Sequence, residues 1–246
     1  MIKRLRVFAG PNGAGKTTLV GEVGNNFKEN KNFDLGVVVN ADSICAQLKE
    51  HCQLHLREFR LKTNQKVFND FCKLPDSVSY LSIFGKPKFH LKDNCFIVDE
   101  ETSCDLSYDA AFIAAFVRHE LCQSGVSFSF ETVLSHPSKL GEIEAAKKLG
   151  YRIYLYYICY DHVEIIGVER VKTRVHRGGH NVNADKIISR YPLSLKNLRE
   201  AITLSDRAYL FDNAAEHMEM VAEFHDGRQV FSADQKPEWL SENISD

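Results

Sequence analysis

Apolar positions recur along the chain with two periods, and they change over at recognisable stops. "LRVFA" (5–9) is a short apolar run that ends at a glycine, which predicts a buried strand. In "GKTTLVGEVGNNF" (15–27), Leu19, Val20, Val23 and Phe27 share one face if the segment winds at 3.6 residues per turn; Gly21 and Gly24 work against that helix. "GVVVN" (36–40) is β-branched and predicts a second strand, and "DSICAQLKEHCQLHL" (42–56) predicts a helix.

From about 57 to 106 the period is lost. Pro75, Gly85 and Pro87 break the pattern, and only "CFIVDE" (95–100) reads as a strand. This stretch is expected to be an insertion or small subdomain. Regularity returns with a helix over "SYDAAFIAAFVRHELCQ" (107–123). An alternating strand follows, "SFSFE" (127–131), and then a helix over 137–150 with Pro137 near its start and Gly150 as its stop. "YRIYLYYICY" (151–160) predicts a long strand. Asp161 with Glu164 three residues on reads as a capping box that opens the next helix. A helix pair broken near Pro192 is expected between Asn183 and Leu204, then a strand, "AYLFDN" (208–213). A tail at about 214–246 should turn at Asp226-Gly227 as a hairpin and end in a Pro237–Trp239 segment.

Strands alternating with helices predict an α/β fold with a mainly parallel central sheet. The 246 residues fit a single domain, 1–246, that carries the insertion and the hairpin tail. A hydrophobic content of 44% supplies a core, and the net charge of −2 argues against a general nucleic-acid or membrane surface binder. Seven scattered cysteines suit reduced thiols in a cytoplasmic protein. The N-terminus lacks the apolar stretch of a signal peptide, and no run approaches a membrane span.

The chemistry gathers first at "GPNGAGKTT", Gly10, Pro11, Asn12, Gly13, Ala14, Gly15, Lys16, Thr17 and Thr18, which contains G-x-x-x-x-G-K-[ST] between a predicted strand and a predicted helix. Glycines let backbone N–H groups approach phosphate oxygens, and the helix start adds its own N–H groups and the positive end of its dipole. Lys16 would reach the β- and γ-phosphates of a nucleotide, and Thr17 would offer its hydroxyl to Mg²⁺. The loop also suits ABC-transporter ATPases, but no L-S-G-G-Q signature precedes "CFIVDE".

Asp42 follows the second strand and has two readings, a carboxylate that takes a proton from an attacking hydroxyl or a cap on the next helix. Glu131 and Thr132 close a strand at the end where α/β sheets place ligand groups, or are simply polar at a strand exit. Arg170, Arg174 and Arg177 are spaced to share one helix face, and "RGGH" (177–180) follows as a turn. They read as a lid over a phosphoryl group or as a solvated basic face. Arg190 is a further candidate. His51 and His55 flank Cys52 without an evident third metal ligand.

Taken in order, "GPNGAGKTT", "NADSI", "SFSFETVLSHPSK", "AAKKLGYRIYLYYI", "ERVKTRVHRGGHNV", "DKIISRYPLSLKNLREAI" and "RAYLFDN" resemble the zeta-toxin-like family of P-loop kinases (UDP-N-acetylglucosamine kinase-like) over residues 1–48 and about 107–213. The resemblance implies a three-layer P-loop kinase fold and transfer of the γ-phosphoryl of ATP or GTP to a small-molecule hydroxyl. In the toxin members that acceptor is a UDP-N-acetyl amino sugar, and an antitoxin protein is a partner. By position it implies catalytic roles for Lys16, Asp42, Arg170 and Arg177. Thr17 would hold Mg²⁺, and Asp42, Glu131, Thr132 and Arg174 would face the acceptor. Two other functions use the same loop: a kinase acting on a nucleic-acid end, and a non-catalytic ATP-binding switch.

Overall fold

The computed structural model describes residues 2–29, 34–99, 105–176, 182–215 and 217–244. The chain forms two compact units, one of Met1–Gly36 with Ser129–Asp246 and one of Val37–Phe128. In chain order the first unit opens with β1 (Arg4–Ala9) and α1 (Lys16–Glu29). The second unit follows with β2 (Val37–Val39), α2 (Ala41–His51), β3 (Gln53–His55), a 3₁₀ turn (Leu56–Phe59), α3 (Gln65–Phe71), α4 (Pro75–Phe84), β4 (Phe89–Lys92), β5 (Cys95–Val98) and α5 (Ser107–Gln123). The first unit resumes with β6 (Phe128–Thr132), α6 (Ser138–Lys148), β7 (Arg152–Cys159), α7 (Ile166–His176), α8 (Ala184–Leu204), β8 (Arg207–Asp212), β9 (Glu219–His225), β10 (Arg228–Ser232) and α9 (Glu238–Asn243).

Six strands of the first unit lie in the order β10-β9-β8-β7-β1-β6. β1 and β7 run parallel, as do β7 and β8, while β9 and β10 return antiparallel. This is the α/β architecture with a mainly parallel sheet that the alternation of elements predicts. Register is pinned by an aromatic ladder. Phe8 pairs with Tyr156 and Tyr156 with Tyr209, their rings stacked at 4.8 and 5.3 Å. On α1, Leu19 is buried, and Val20 and Val23 pack against the same cluster as Phe8, Tyr156 and Val171. The side chain of Phe27 lies outside the described residues. Asp226 and Gly227 both take positive φ (48° and 75°), as a two-residue hairpin turn of the right twist requires.

The second unit is organised by Phe68. Its ring lies within 6.5 Å of Phe71, Phe89, Phe96, Phe112 and Phe116, which come from α3, β4, β5 and α5. β3, β5 and β4 form a small antiparallel sheet beside it.

Three local expectations are corrected. The helix expected over 42–56 stops at Cys52, whose φ is 54°. Leu54 and Leu56 then bury alternately around His55, which is strand periodicity. The helix pair at Pro192 is one continuous helix, α8. Proline removes a single i→i−4 bond, and the buried Ile187, Leu195, Leu198, Ala201 and Ile202 carry the helix across that gap. Asp161 opens no helix; α7 begins at Ile166. The Asp161 carboxylate instead accepts from the N–H groups of Glu238 and Trp239 at 3.1 and 2.8 Å, capping α9 from 77 residues away in sequence. The stretch whose apolar period is lost holds α3, α4 and β4, with β5 at the strand expected in "CFIVDE". Among the described residues no helix is long and apolar enough to cross a membrane.

Candidate functional site

The phosphate loop leaves β1 hard against β7. At Gly10 (φ 137°) an added Cβ would come within 1.9 Å of the Ile158 carbonyl oxygen, so only glycine fits. Gly10 N–H donates to the Thr132 carbonyl at 3.2 Å, tying the loop entrance to the end of β6. Gly15 (φ 94°) turns the chain into α1, whose first turn leaves its N–H groups without intrahelical partners. The Lys16 ammonium folds back over the loop and donates to the Gly10 and Pro11 carbonyls, each at 2.8 Å. It therefore stands at the mouth of the loop, where a bound phosphate would exchange for these carbonyls.

The Thr17 hydroxyl donates to the Glu131 carboxylate at 2.8 Å. Two oxygen donors are thus held together at the first turn of α1. Hard oxygen ligands of this kind, one of them anionic, fit a Mg²⁺ ion. Thr132 is anchored by the backbone: its hydroxyl accepts from Leu134 N–H at 3.0 Å, keeping its own proton to donate, and its carbonyl accepts from Gly10 N–H. The segment after β6 is fixed by α8, where Ser194 Oγ donates to the Val133 carbonyl (2.6 Å) and Asn197 Nδ2 to the Leu134 carbonyl (2.8 Å).

α7 brings Arg170 to the same loop. Its Gly167 lies so close to the phosphate loop that a Cβ on Gly13 would come 3.2 Å from the Gly167 carbonyl oxygen and 3.3 Å from Arg170 Cβ. Arg170 Nη1 donates to the Asn213 carbonyl at 2.7 Å, and its guanidinium lies 5.6 Å from the centre of the Tyr160 ring. Arg174 sits one turn on, half-buried, and Val171 is the buried anchor of the helix. Arg177 and the turn 178–180 lie outside the described residues. Arg190 is half-buried on α8.

Asp42 belongs to the second unit. The residue that caps α2 is Asn40, whose side chain accepts from Asp42 and Ser43 N–H at 2.8 and 3.1 Å. Asp42 lies in the first turn with its side chain exposed, so capping does not consume its carboxylate.

Two residues of this site were not singled out from the sequence, although Asn213 closes the motif "RAYLFDN". The Tyr160 hydroxyl donates to the Asn12 carbonyl, and Asn213 Nδ2 donates to the Ala14 carbonyl at 2.9 Å. Burial pushes the Tyr160 hydroxyl well above the usual tyrosine range, against the opposing pull of Arg170, so it stays a donor. Their places at the ends of β7 and β8, the ligand side of an α/β sheet, could have marked them.

No protein-family model matches the chain. An uncharacterized protein of Haemophilus influenzae is 34% identical over 83 residues, which are 34% of this chain and 59% of that one. Among solved structures, a chain of the AvrRxo1-ORF1:AvrRxo1-ORF2 complex with sulphate ions superposes with a TM-score of 0.57 at 16% identity, over 93% of this chain and 60% of that chain. The same complex determined with ATP gives a TM-score of 0.56 at 16% identity over the same shares. The chain thus spans about three-fifths of the length of these relatives. At this identity the likeness shows a shared fold, an α/β architecture with a mainly parallel sheet.

Proposed function

We propose that this chain is a nucleotide-dependent phosphotransferase that moves the γ-phosphoryl of ATP or GTP to a hydroxyl of a small molecule. The observation that carries the reading is the convergence on one loop of Lys16, the Thr17–Glu131 pair and Arg170. A neighbour of the same fold determined with ATP supports it.

In this reading the loop amides from Gly10 to Thr18 and the start of α1 hold the nucleotide's phosphates. Lys16 leaves the Gly10 and Pro11 carbonyls to neutralise charge on the β- and γ-oxygens. Thr17 and Glu131 would hold Mg²⁺, which would supply neutralisation of phosphate charge. Glu131 then works on the metal side of the site, in place of the acceptor contact that the sequence resemblance implies. Arg170 is fixed beside the loop and stabilises charge on the transferred group, with Arg174 and Arg177 completing the lid. By the sequence resemblance, Asp42 accepts the acceptor's proton as the new P–O bond forms and the bond between the γ-phosphorus and the β-bridging oxygen breaks, releasing the nucleoside diphosphate, while Thr132 and Arg174 face the acceptor.

The zeta-toxin-like motifs favour a UDP-N-acetyl amino sugar as acceptor and a protein antitoxin as partner. The pairing of the AvrRxo1 neighbour with a second protein supports a search for one. The test is transfer from γ-labelled ATP to a panel of UDP-sugars, nucleosides and nucleic-acid ends, with wild type and Asp42→Asn. A labelled UDP-N-acetyl sugar from wild type alone supports the whole reading. Label on nucleic-acid ends contradicts the small-molecule acceptor, and full transfer by Asp42→Asn contradicts the base.

A further inference from the structure

A loop that receives anions has a polarity constraint. To turn its N–H groups inward it must turn carbonyls outward, and each outward carbonyl needs a donor. Here two such carbonyls are met from the ends of adjacent strands. The Tyr160 hydroxyl, just past β7, takes the Asn12 carbonyl, and Asn213 Nδ2, just past β8, takes the Ala14 carbonyl at 2.9 Å. Asn213 does more than this. Its N–H donates to the Cys159 carbonyl at 2.8 Å, and its own carbonyl receives Arg170 Nη1 at 2.7 Å.

We propose that Asn213 is a positioning residue that holds the phosphate loop in its anion-receiving shape and fixes Arg170 beside it. One residue thereby sets the distance between the loop and the lid helix. Its side chain is not needed to close its own turn, because Asp212 Oδ2 already accepts from Ala214 N–H at 3.2 Å. The fit on the loop side is tight: a Cβ on Gly15 would lie 2.8 Å from Asn213 Nδ2 and 3.3 Å from Met218 Cε. A side chain at Gly15 would therefore displace the amide from the Ala14 carbonyl. Behind it, Asp212 Oδ1 accepts from the buried Trp239 indole at 2.8 Å, so α9 braces the strand end that presents Asn213. The holding of the loop stands on these contacts alone. That the anion is a nucleotide phosphate rests on the reading above.

The test uses Asn213→Ala and Asn213→Asp. The first removes the donor; the second keeps the side-chain shape but sets an oxygen against the Ala14 carbonyl. Amide hydrogen exchange is followed in the free protein, and binding of Mg-ATP and of pyrophosphate is followed by calorimetry. We expect exchange to quicken about tenfold across residues 10–18 and to stay unchanged in β9 and β10, with both ligands bound about tenfold more weakly. Asn213→Asp serves where truncation prevents folding. Exchange in residues 10–18 within twofold of wild type would overturn the proposal, whatever the ligands do. Absence of nucleotide binding by wild type would overturn the kinase reading, while the exchange result still decides the role of Asn213.

Discussion

The Thr17 hydroxyl and the Glu131 carboxylate meet at 2.8 Å, joining the first turn of α1 to the end of β6. They lie 114 residues apart in sequence, so the contact is made by the sheet order that puts β6 beside β1. It places an acid where a divalent ion would have to sit. Glu131→Ala should therefore raise the Mg²⁺ concentration needed for half-maximal transfer by about 10–100-fold. Nucleotide binding without metal should change little. A Mg²⁺ titration of wild type and variant checks this; equal midpoints would return Glu131 to the acceptor.

Two glycines in neighbouring elements should respond in opposite directions. Gly10→Ala must place a methyl 1.9 Å from the Ile158 carbonyl at a φ of 137°, and should cost about 2–5 kcal/mol and abolish nucleotide binding. Gly21 lies inside α1 with nothing within 4 Å of a new Cβ. Gly21→Ala should stabilise the protein by about 0.5–1 kcal/mol. Urea unfolding of both variants measures the contrast.

How much of this was legible in the sequence depends on how local each signal is. The helix 107–123 coincides with α5, because its apolar residues and the absence of breakers act within a few turns. The phosphate loop is legible for the same reason, as its chemistry is written in consecutive residues. Asp161 misleads because its partners are the N–H groups of Glu238 and Trp239, which no window around 161 contains. Pro192 misleads because burial on both sides outweighs one lost hydrogen bond. Residues 57–98 looked irregular because their core is a ring cluster on Phe68, assembled from short elements that carry little period of their own. The roles of Asn213 and Tyr160 were silent, even with Asn213 inside "RAYLFDN", because what matters is the carbonyl each one faces.

The tail should matter to the whole first unit. Trp239 is 2% exposed, its indole N–H is bonded to Asp212, and its ring lies 5.9 Å from that of Tyr157. Trp239→Ala should cost about 3–5 kcal/mol, and Asp161→Ala about 1 kcal/mol through the lost cap. Thermal and urea unfolding of the two variants test the ranking.

Burial raises the hydroxyls of Tyr157, Tyr160 and Tyr191 well above the ordinary tyrosine value of about 10, and that of Tyr156 to about 12. Each is neutral in the fold at pH values where the unfolded chain already ionises. Above pH ~10 the unfolded state therefore binds fewer protons, and stability must fall as pH rises. The melting temperature should owe no change to these tyrosines from pH 7 to about 9.5, then drop steeply. Phenolate absorbance should rise mainly with unfolding; a full rise in the folded state would contradict the buried hydroxyls.

The central claim is that the loop from Gly10 to Thr18 presents a γ-phosphoryl for transfer. Its most direct test is single-turnover transfer from γ-labelled ATP with Mg²⁺, comparing wild type with Lys16→Ala across the acceptor panel. The account predicts label on a small-molecule hydroxyl with wild type and a loss of at least a hundredfold with Lys16→Ala. Tight ATP binding by wild type with no label on any acceptor, or equal transfer by the two proteins, would contradict it.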